Sequence, residues 1–265
     1  MNSNIRSSSP KNLTRTKTRK LVVVAMLSAI SIFLGLSGLG FIVIPPIKAT
    51  IMHIPVIIGA IIEGPIVGAS IGLVFGLFSI YQAFAAPLPT SFVFWNPIIA
   101  IIPRVLIGVV SYYVYVAAFK STNKNIKLTA FISGLILGIL GFFATSEIAK
   151  LLKVNNDTSH VIGSVIGIIL FIAVIIIFNK VTNKNKPAIL SIGLASIVGT
   201  LTNTIGVLGL IYIIYLDKYA QALKISSEAA GSVILGVGIT NGIPEAFISA
   251  LITVPVILAV KKIRK

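Results

Sequence analysis

The chain has 265 residues, of which 56% are hydrophobic and 11% are charged, and its mean hydropathy is +1.04. A soluble domain carries about 25% charged residues, so this chain cannot cover a water-facing surface and is predicted to be an integral membrane protein. The formal net charge of +16 would suit nucleic acid. Its basic residues, however, lie at the ends of apolar segments, where membrane topology needs them, so we expect no nucleic-acid partner.

The chain begins with a predicted tail and a first helix. Residues 1–19 are polar, basic and rich in Ser and Asn, which favours disorder, and an apolar helix is predicted at 20–40. Ala25 and Ala29 share one face of that helix, and such a pair of small residues lets two membrane helices approach closely. The prolines at 45–46 cannot continue a helix, so a loop is predicted there.

Two apolar helices joined by a tight turn are predicted next, at 50–63 and 65–84. The first is only ~21 Å long at ~1.5 Å per residue. This is short for a hydrocarbon core of about 30 Å, so one of its ends should be submerged or covered by the preceding loop. Glycine then recurs at every fourth position, which places these residues on one helix face and predicts close helix packing. The glycines are Gly64, Gly68, Gly72 and Gly76.

Five further apolar segments follow a proline-rich loop at 85–96, where Trp95 is the only tryptophan of the chain. They cover residues 97–119, 128–148, 161–178, 187–215 and 231–260. The stretch 216–230 is predicted to be a loop, and residues 261–265 form a basic end. Together with the three earlier helices, these segments make eight.

Eight segments place both ends of the chain on the same side of the membrane. If that side is the cytoplasm, 16 of the 22 Lys and Arg residues lie inside and five lie outside, while Arg104 falls within the membrane. This distribution follows the positive-inside rule. We therefore predict a multi-pass protein of the cell membrane with two cytoplasmic termini and a substrate-binding membrane domain at residues 20–260.

Arg104 and Glu245 are ionisable residues inside predicted membrane helices. Such residues are costly in lipid and mark functional sites by default. Two interpretations stay open: they pair with each other, or Arg104 faces a cavity and binds an anionic solute through its fork of donors. Glu63, at the predicted cytoplasmic turn, is expected to be solvated.

Several uncharged polar residues accompany this pair. Three asparagines in apolar helices or at their ends either join helices by hydrogen bonds or form, with Arg104, a small polar pocket inside apolar walls. His53 begins a helix, where a structural role competes with ligand binding, and Trp95 suits the membrane interface. The predicted substrate-binding residues are Arg104, Asn96, Asn203, Asn241, Glu245, His53 and Trp95.

Other kinds of site are not predicted. The chain has no cysteine and only two histidines, which are far apart, so neither a disulfide nor a metal site is expected. It contains no G-x-x-x-x-G-K-[ST] phosphate loop, so it should not drive transport by its own ATP hydrolysis. We also find no nucleophile paired with a base, and we predict a protein that is not an enzyme and needs no cofactor.

Four blocks of sequence, in this order, resemble the substrate-binding S component of energy-coupling factor (ECF) vitamin importers. They are IMHIPVIIGAIIEGPIVGASIGLVFGL, NPIIAIIPRVLIG, LTNTIGVLGLIY and TNGIPEAFISALITVPVI. The resemblance looks closest to the pantothenate type through SIYQAFAAP, NPIIAIIPR and LTNTIGVLGL, and it covers about residues 20–119 and 187–260. It implies a six-helix core with an outward-facing pocket.

The resemblance also implies partners, namely a transmembrane coupling subunit and two cytoplasmic ATPase subunits. The family's small-xxx-small motif, which docks the coupling subunit, maps onto Ala25 and Ala29. Residues 121–186 depart from the pattern as an apparent inserted transmembrane hairpin. The predicted fold is therefore an all-α membrane protein with a six-helix S-component-like core and one extra hairpin.

The predicted function is the capture of a small vitamin that bears a carboxylate, with pantothenate as the first choice. Folate or another vitamin of the same import system is the near alternative. Two other classes stay open: a stand-alone secondary transporter that uses Glu245 as a proton site, and a non-transporting membrane protein in which Asn and Arg side chains only join helices.

Overall fold

The computed structural model describes residues 10–44, 47–124, 155–180 and 186–263, with scattered helical residues within 131–145. Its helices are α1 Pro10–Leu36, α2 Ile54–Glu63, α3 Pro65–Ala85, α4 Pro97–Lys124, α5 Asn156–Lys180, α6 Lys186–Leu223 and α7 Ser227–Ile263. Two strands, β1 Phe41–Ile44 and β2 Ile47–Thr50, and a 3₁₀ helix at Ser91–Trp95 complete the described elements.

Five helices in the described ranges are long and apolar enough to cross a membrane. They lie at Thr16–Leu36, Pro65–Ala85, Pro97–Thr122, Pro187–Leu223 and Ser227–Ile263. The prediction of a largely helical, multi-pass integral membrane protein is therefore confirmed. The predicted segment 128–148 lies mostly outside the described residues, so its length as a helix stays a prediction.

The loop predicted after α1 contains a short β-hairpin, while the other described elements are helices, in keeping with the predicted helical membrane fold. Strands β1 and β2 are antiparallel, with Phe41 opposite Thr50 and Ile44 opposite Ile47. The strand sequences, FIVI in β1 and IKAT in β2, are rich in β-branched and aromatic residues, which favour pairing in an extended conformation. The two prolines at 45–46 lie outside the described residues.

Two helix boundaries also differ from the prediction. Helix α1 starts ten residues early, at Pro10, where proline suits a first helical position. The stretch 216–230 is mostly helical, because α6 runs to Leu223 and α7 begins at Ser227. Residues 217–223 include Lys, Ala, Gln and Leu, which sustain a helix. The Ser226 hydroxyl accepts the Ala229 N–H at 3.2 Å at the start of α7.

Helix α2 lies at the centre of the molecule. It has ten residues, nine of which are buried, and it packs against α1, α3, α4, α6 and α7. Val56, Ile57 and Ala60 are fully inaccessible. A helix this short cannot cross a bilayer alone, and here protein rather than lipid surrounds it.

The repeated glycines of α3 lie against α4. A β-carbon at Gly68 would lie 2.9 Å from the Gly108 Cα, and one at Gly76 would lie 2.8 Å from the Ala100 carbonyl oxygen. One at Gly72 would collide with the Arg104 carbonyl. The first glycine of the series, Gly64, instead forms the turn between α2 and α3 with a φ of +106°, a conformation that favours glycine.

Glu63 is buried and paired, so the prediction of a solvated side chain is wrong. It is 7% exposed, and Arg19 Nη2 donates to its Oε2 at 2.9 Å. The early start of α1 explains the difference, because Arg19 belongs to this helix rather than to a disordered tail. The ion pair joins α1 to the α2–α3 turn.

Helix α5 belongs to the predicted insertion and packs within it. A β-carbon at Gly167 would lie 2.7 Å from the Gly138 carbonyl oxygen. The rings of Phe142 and His160 stack with their centroids 6.1 Å apart. Among the described residues, α5 shares no extensive interface with α1–α4, α6 or α7.

Candidate functional site

Arg104 lies in the second turn of α4 and is only 6% exposed. Its Nη1 donates to the Ile99 carbonyl at 2.8 Å. The guanidinium carbon lies 5.6 Å from the Phe75 ring centroid and 5.2 Å from that of Phe94, within the range of cation–π attraction. Its Nε is buried without a hydrogen-bond partner, so the side chain keeps donor capacity for a further acceptor.

Glu245 is also buried, at 6% exposure, on α7. Its Oε1 accepts the backbone N–H of Thr50 at 2.8 Å, and this bond ties the β-hairpin to α7. Within the described ranges Glu245 and Arg104 form no ion pair. The interpretation in which these two residues neutralise each other is therefore wrong for this structure, because each charge bonds to a backbone group instead.

Asn203 and Asn241 lie at the same level on neighbouring helices. The residues that follow them meet directly, since a β-carbon at Gly242 would lie 2.7 Å from the Thr204 Cγ2. The Asn203 Oδ1 is buried and has no hydrogen-bond partner. An amide oxygen in this state is an open acceptor.

A second contact relates this level to Arg104. A β-carbon at Gly206 of α6 would lie 3.0 Å from the Pro103 Cβ, so α6 packs on α4 at the residue that precedes Arg104. Glu245 lies one helical turn after Asn241 on α7. We call Arg104, Asn203, Asn241 and Glu245 the polar layer of α4, α6 and α7. In the described part of the chain no hydrogen bond joins two of its members.

Asn96 and Trp95 have local structural roles. Asn96 Oδ1 accepts the Ile98 N–H at 3.0 Å and thereby caps α4, while its Nδ2 lies 3.5 Å from the Tyr215 hydroxyl. Trp95 is 49% exposed and stacks on Phe84, with ring centroids 5.3 Å apart. Among the described residues, neither forms a hydrogen bond with a member of the polar layer.

His53 is fully buried between α2 and α6. Its Nε2 lies 2.9 Å from the Thr200 hydroxyl, which lies 2.9 Å from the Ser196 carbonyl. Because the single hydroxyl proton is donated to the carbonyl, the hydroxyl accepts a hydrogen bond from His53 Nε2–H. The His53 Nδ1 is buried and has no hydrogen-bond partner. This arrangement indicates a helix-joining histidine.

A cavity of about 360 Å³ lies between α1, α2 and α7. Its walls are aliphatic, with Leu27, Ile58 and Val256 among them, and none of the predicted substrate-binding residues lines it. This groove is therefore separate from the polar layer.

Comparison with protein families supplies the identification. The family described as "ECF transporter, substrate-specific component" matches residues 19–157 and 144–257. The chain belongs to this family. The resemblance inferred from its sequence blocks is thereby confirmed. This S component is a membrane transport protein.

Two relatives carry names that mention a substrate. The S component is 34% identical over 164 residues to the pantothenic acid transporter PanT of Lactococcus lactis subsp. cremoris, with 53% of this chain and 82% of that protein covered. It is 28% identical over 174 residues to the pantothenate transporter PanT of Leuconostoc mesenteroides subsp. mesenteroides, with coverage of 60% and 85%. Each alignment leaves a larger share of the S component unmatched than of the relative.

Sequence reasoning missed the partners of the polar residues in the S component. The dipeptide Pro103-Arg104 carries a local signal for the bond to Ile99, because a proline inside a helix frees a carbonyl. The Phe75 ring and the Thr50 N–H carry none, since they come from other elements, and the Phe94 ring comes from the 3₁₀ helix before α4, whose fold the sequence pattern did not predict.

Proposed function

We propose that this chain is the substrate-capture subunit of an ECF-type ABC importer and that it binds pantothenate at the polar layer. One observation carries the choice of an anionic solute. Arg104 is buried in a membrane helix, and its charge has no carboxylate partner among the described residues. A bare charge in lipid costs at least about 2.5 kcal/mol, so a carboxylate-bearing solute is a fitting partner. Pantothenate has a carboxylate, and the names of both relatives mention pantothenate or pantothenic acid.

Each member of the polar layer has a separate proposed role. Arg104 forms a two-pronged contact with the carboxylate of the solute. Asn203 and Asn241 bond to its amide and hydroxyl groups, since an asparagine side chain offers both donors and an acceptor. Glu245 holds the hairpin through Thr50, so that the hairpin covers the outward-facing side. His53, Asn96 and Trp95 support the helices and the loop around the solute.

The proposed partners are a transmembrane coupling subunit and two cytoplasmic ATPase subunits. Ala25 and Ala29 lie on the exposed face of α1, where small side chains let another helix approach closely. Both termini are assigned to the cytoplasm by the distribution of Lys and Arg. Energy for uptake then comes from ATP hydrolysis by the partners.

Binding of radiolabelled pantothenate to the purified protein tests the site. Arg104→Ala should weaken binding by about 2–5 kcal/mol, the usual loss when one partner of a buried charge pair is removed. Arg104→Lys should restore only part, because lysine lacks the planar fork. Lys120→Ala is the control, since it removes a positive charge from the exposed end of the same helix and should leave affinity unchanged.

A pantothenate analogue with its carboxylate converted to an amide completes the test. It should bind the wild type weakly and should respond little to Arg104→Ala. Equal loss of both ligands in the variant would instead indicate a damaged fold. Binding of folate in place of pantothenate would correct the substrate. Accumulation of solute by the purified chain alone, in sealed vesicles under a proton gradient, would overturn the partnership with ATPases.

A further inference from the structure

The Ile99 carbonyl lacks its ordinary helical donor. In an α-helix the N–H of residue i donates to the carbonyl of residue i−4, and the residue four positions after Ile99 is Pro103, which has no N–H. A backbone group left without a partner inside a membrane costs several kcal/mol. Here the donor is replaced by a side chain, because Arg104 Nη1 lies 2.8 Å from the Ile99 oxygen.

This bond determines where the guanidinium lies. It holds one end of the fork against α4, and the Phe75 and Phe94 rings lie within 5.6 Å of the guanidinium carbon. An arginine side chain otherwise samples many rotamers, and a ligand would have to remove that freedom on binding. A bond made before the solute arrives removes part of that freedom beforehand.

We propose that Pro103 is a positioning residue of the substrate site: by leaving the Ile99 carbonyl without a backbone donor, it orients Arg104 toward the carboxylate of the solute. This proposal rests on the proposed function, since it needs an anionic solute at Arg104. With alanine at position 103, the backbone N–H of residue 103 donates a hydrogen bond to the Ile99 carbonyl and draws this carbonyl toward the helix axis. Arg104 then loses its fixed partner.

The chain offers a matched control for the removal of a helix proline. Pro255 also lies inside a helix, α7, but the next residue is Val256, which has no donor for the freed carbonyl. Pro255→Ala should therefore leave solute binding unchanged. Pro103 itself packs on Gly206, with its Cβ 3.0 Å from a β-carbon built there, so a loss of packing must be separated from a loss of orientation.

A double-mutant cycle makes that separation. Pro103→Ala should weaken binding of radiolabelled pantothenate by about threefold to tenfold, which corresponds to one loosened side chain. It should leave binding of the amide analogue unchanged. In the Arg104→Ala background the same substitution should have no effect. An equal loss in both backgrounds would mean that Pro103 acts by packing and would overturn the proposal.

A chemical readout tests the same inference without the vitamin. Phenylglyoxal modifies guanidinium groups, and mass spectrometry can follow Arg104 separately from Arg19. Modification of Arg104 should be severalfold faster in Pro103→Ala than in the wild type or Pro255→Ala, while Arg19 should react at the same rate in all three. An unchanged rate at Arg104 would overturn the inference. Failure of the proposed function would appear differently, as pantothenate binding that Arg104→Ala does not alter.

Discussion

At the scale of single residues, the two charges of the polar layer are stabilised by backbone groups. Arg104 donates to a carbonyl of its own helix, and Glu245 accepts an N–H from the end of the β-hairpin. Hydrogen bonds to an ionised group are stronger than neutral ones. These bonds explain how Arg104 and Glu245 can both be buried without pairing with each other.

The Glu245–Thr50 bond leads to a prediction that separates two roles of the carboxylate. Glu245→Ala should lower the free energy of unfolding by about 1.5–3 kcal/mol, the usual contribution of a hydrogen bond to a charged group. Glu245→Gln should lower it less, because the amide keeps an oxygen that accepts the Thr50 N–H. Thermal unfolding of the purified variants in detergent measures both. A well-folded Glu245→Gln protein that has lost all uptake would favour a proton-carrying role instead.

The sequence predicted that Arg104 and Glu245 need partners, and it could not predict which ones. The physical rule is local, since a charge in lipid must find a counter-charge, a dipole or water. The partner of Glu245, however, lies 195 positions away along the chain. Glu63 shows the same limit, because its burial depends on Arg19, which is distant in sequence and belongs to a helix that starts earlier than composition indicates.

At the scale of elements, α1 is held to the rest of the molecule at its two ends. Arg19 pairs with Glu63 near the start of the apolar stretch, and the Ser31 hydroxyl donates to the Met52 carbonyl at 2.7 Å further along. Between these points Ala25 and Ala29 are exposed. The small residues are therefore available to another helix while α1 stays attached.

This arrangement predicts separate effects on docking and on binding. Ala25→Trp together with Ala29→Trp should abolish uptake by the assembled importer, because a large side chain prevents close helix approach. Pantothenate binding to the isolated protein should stay close to the wild-type value. Ala117→Trp, at an exposed alanine of α4, is the control and should transport normally. Loss of both binding and uptake in the double variant would indicate misfolding.

The helices were predictable from the sequence where an apolar segment continues for many residues. Helices α3, α4 and α6 begin within a residue of their predicted starts, each at or next to a proline. The errors in helix boundaries fall at the N-terminal part of α1 and at 217–223, where hydropathy has no information on helix length. There, helix propensity and extension from an existing helix decide the outcome.

At the scale of the whole molecule, the core helices pack on one another, while the described contacts of α5 lie within the insertion. Helix α5 packs against residues of 131–145, and among described residues it has no extensive interface with the core. The alignments cover more than four-fifths of each named relative but a smaller share of this chain.

The proposed topology places the start of α5 outside the cell. Asp157 is exposed there, and the chain contains no cysteine, so a single introduced thiol gives an unambiguous signal. Asp157→Cys should react with a membrane-impermeant maleimide on intact cells. Lys120→Cys, at the exposed end of α4 that the proposed topology assigns to the cytoplasm, should react only after lysis. The reverse pattern would contradict the charge-based orientation.

The burial of α2 has a consequence for how the protein is made. With ten residues it is about 15 Å long, half of the hydrocarbon thickness, so it does not enter the bilayer as an independent span. Its neighbours include α6 and α7, which leave the ribosome more than a hundred residues later. The packing around α2 is therefore complete only when the final helix has been synthesised.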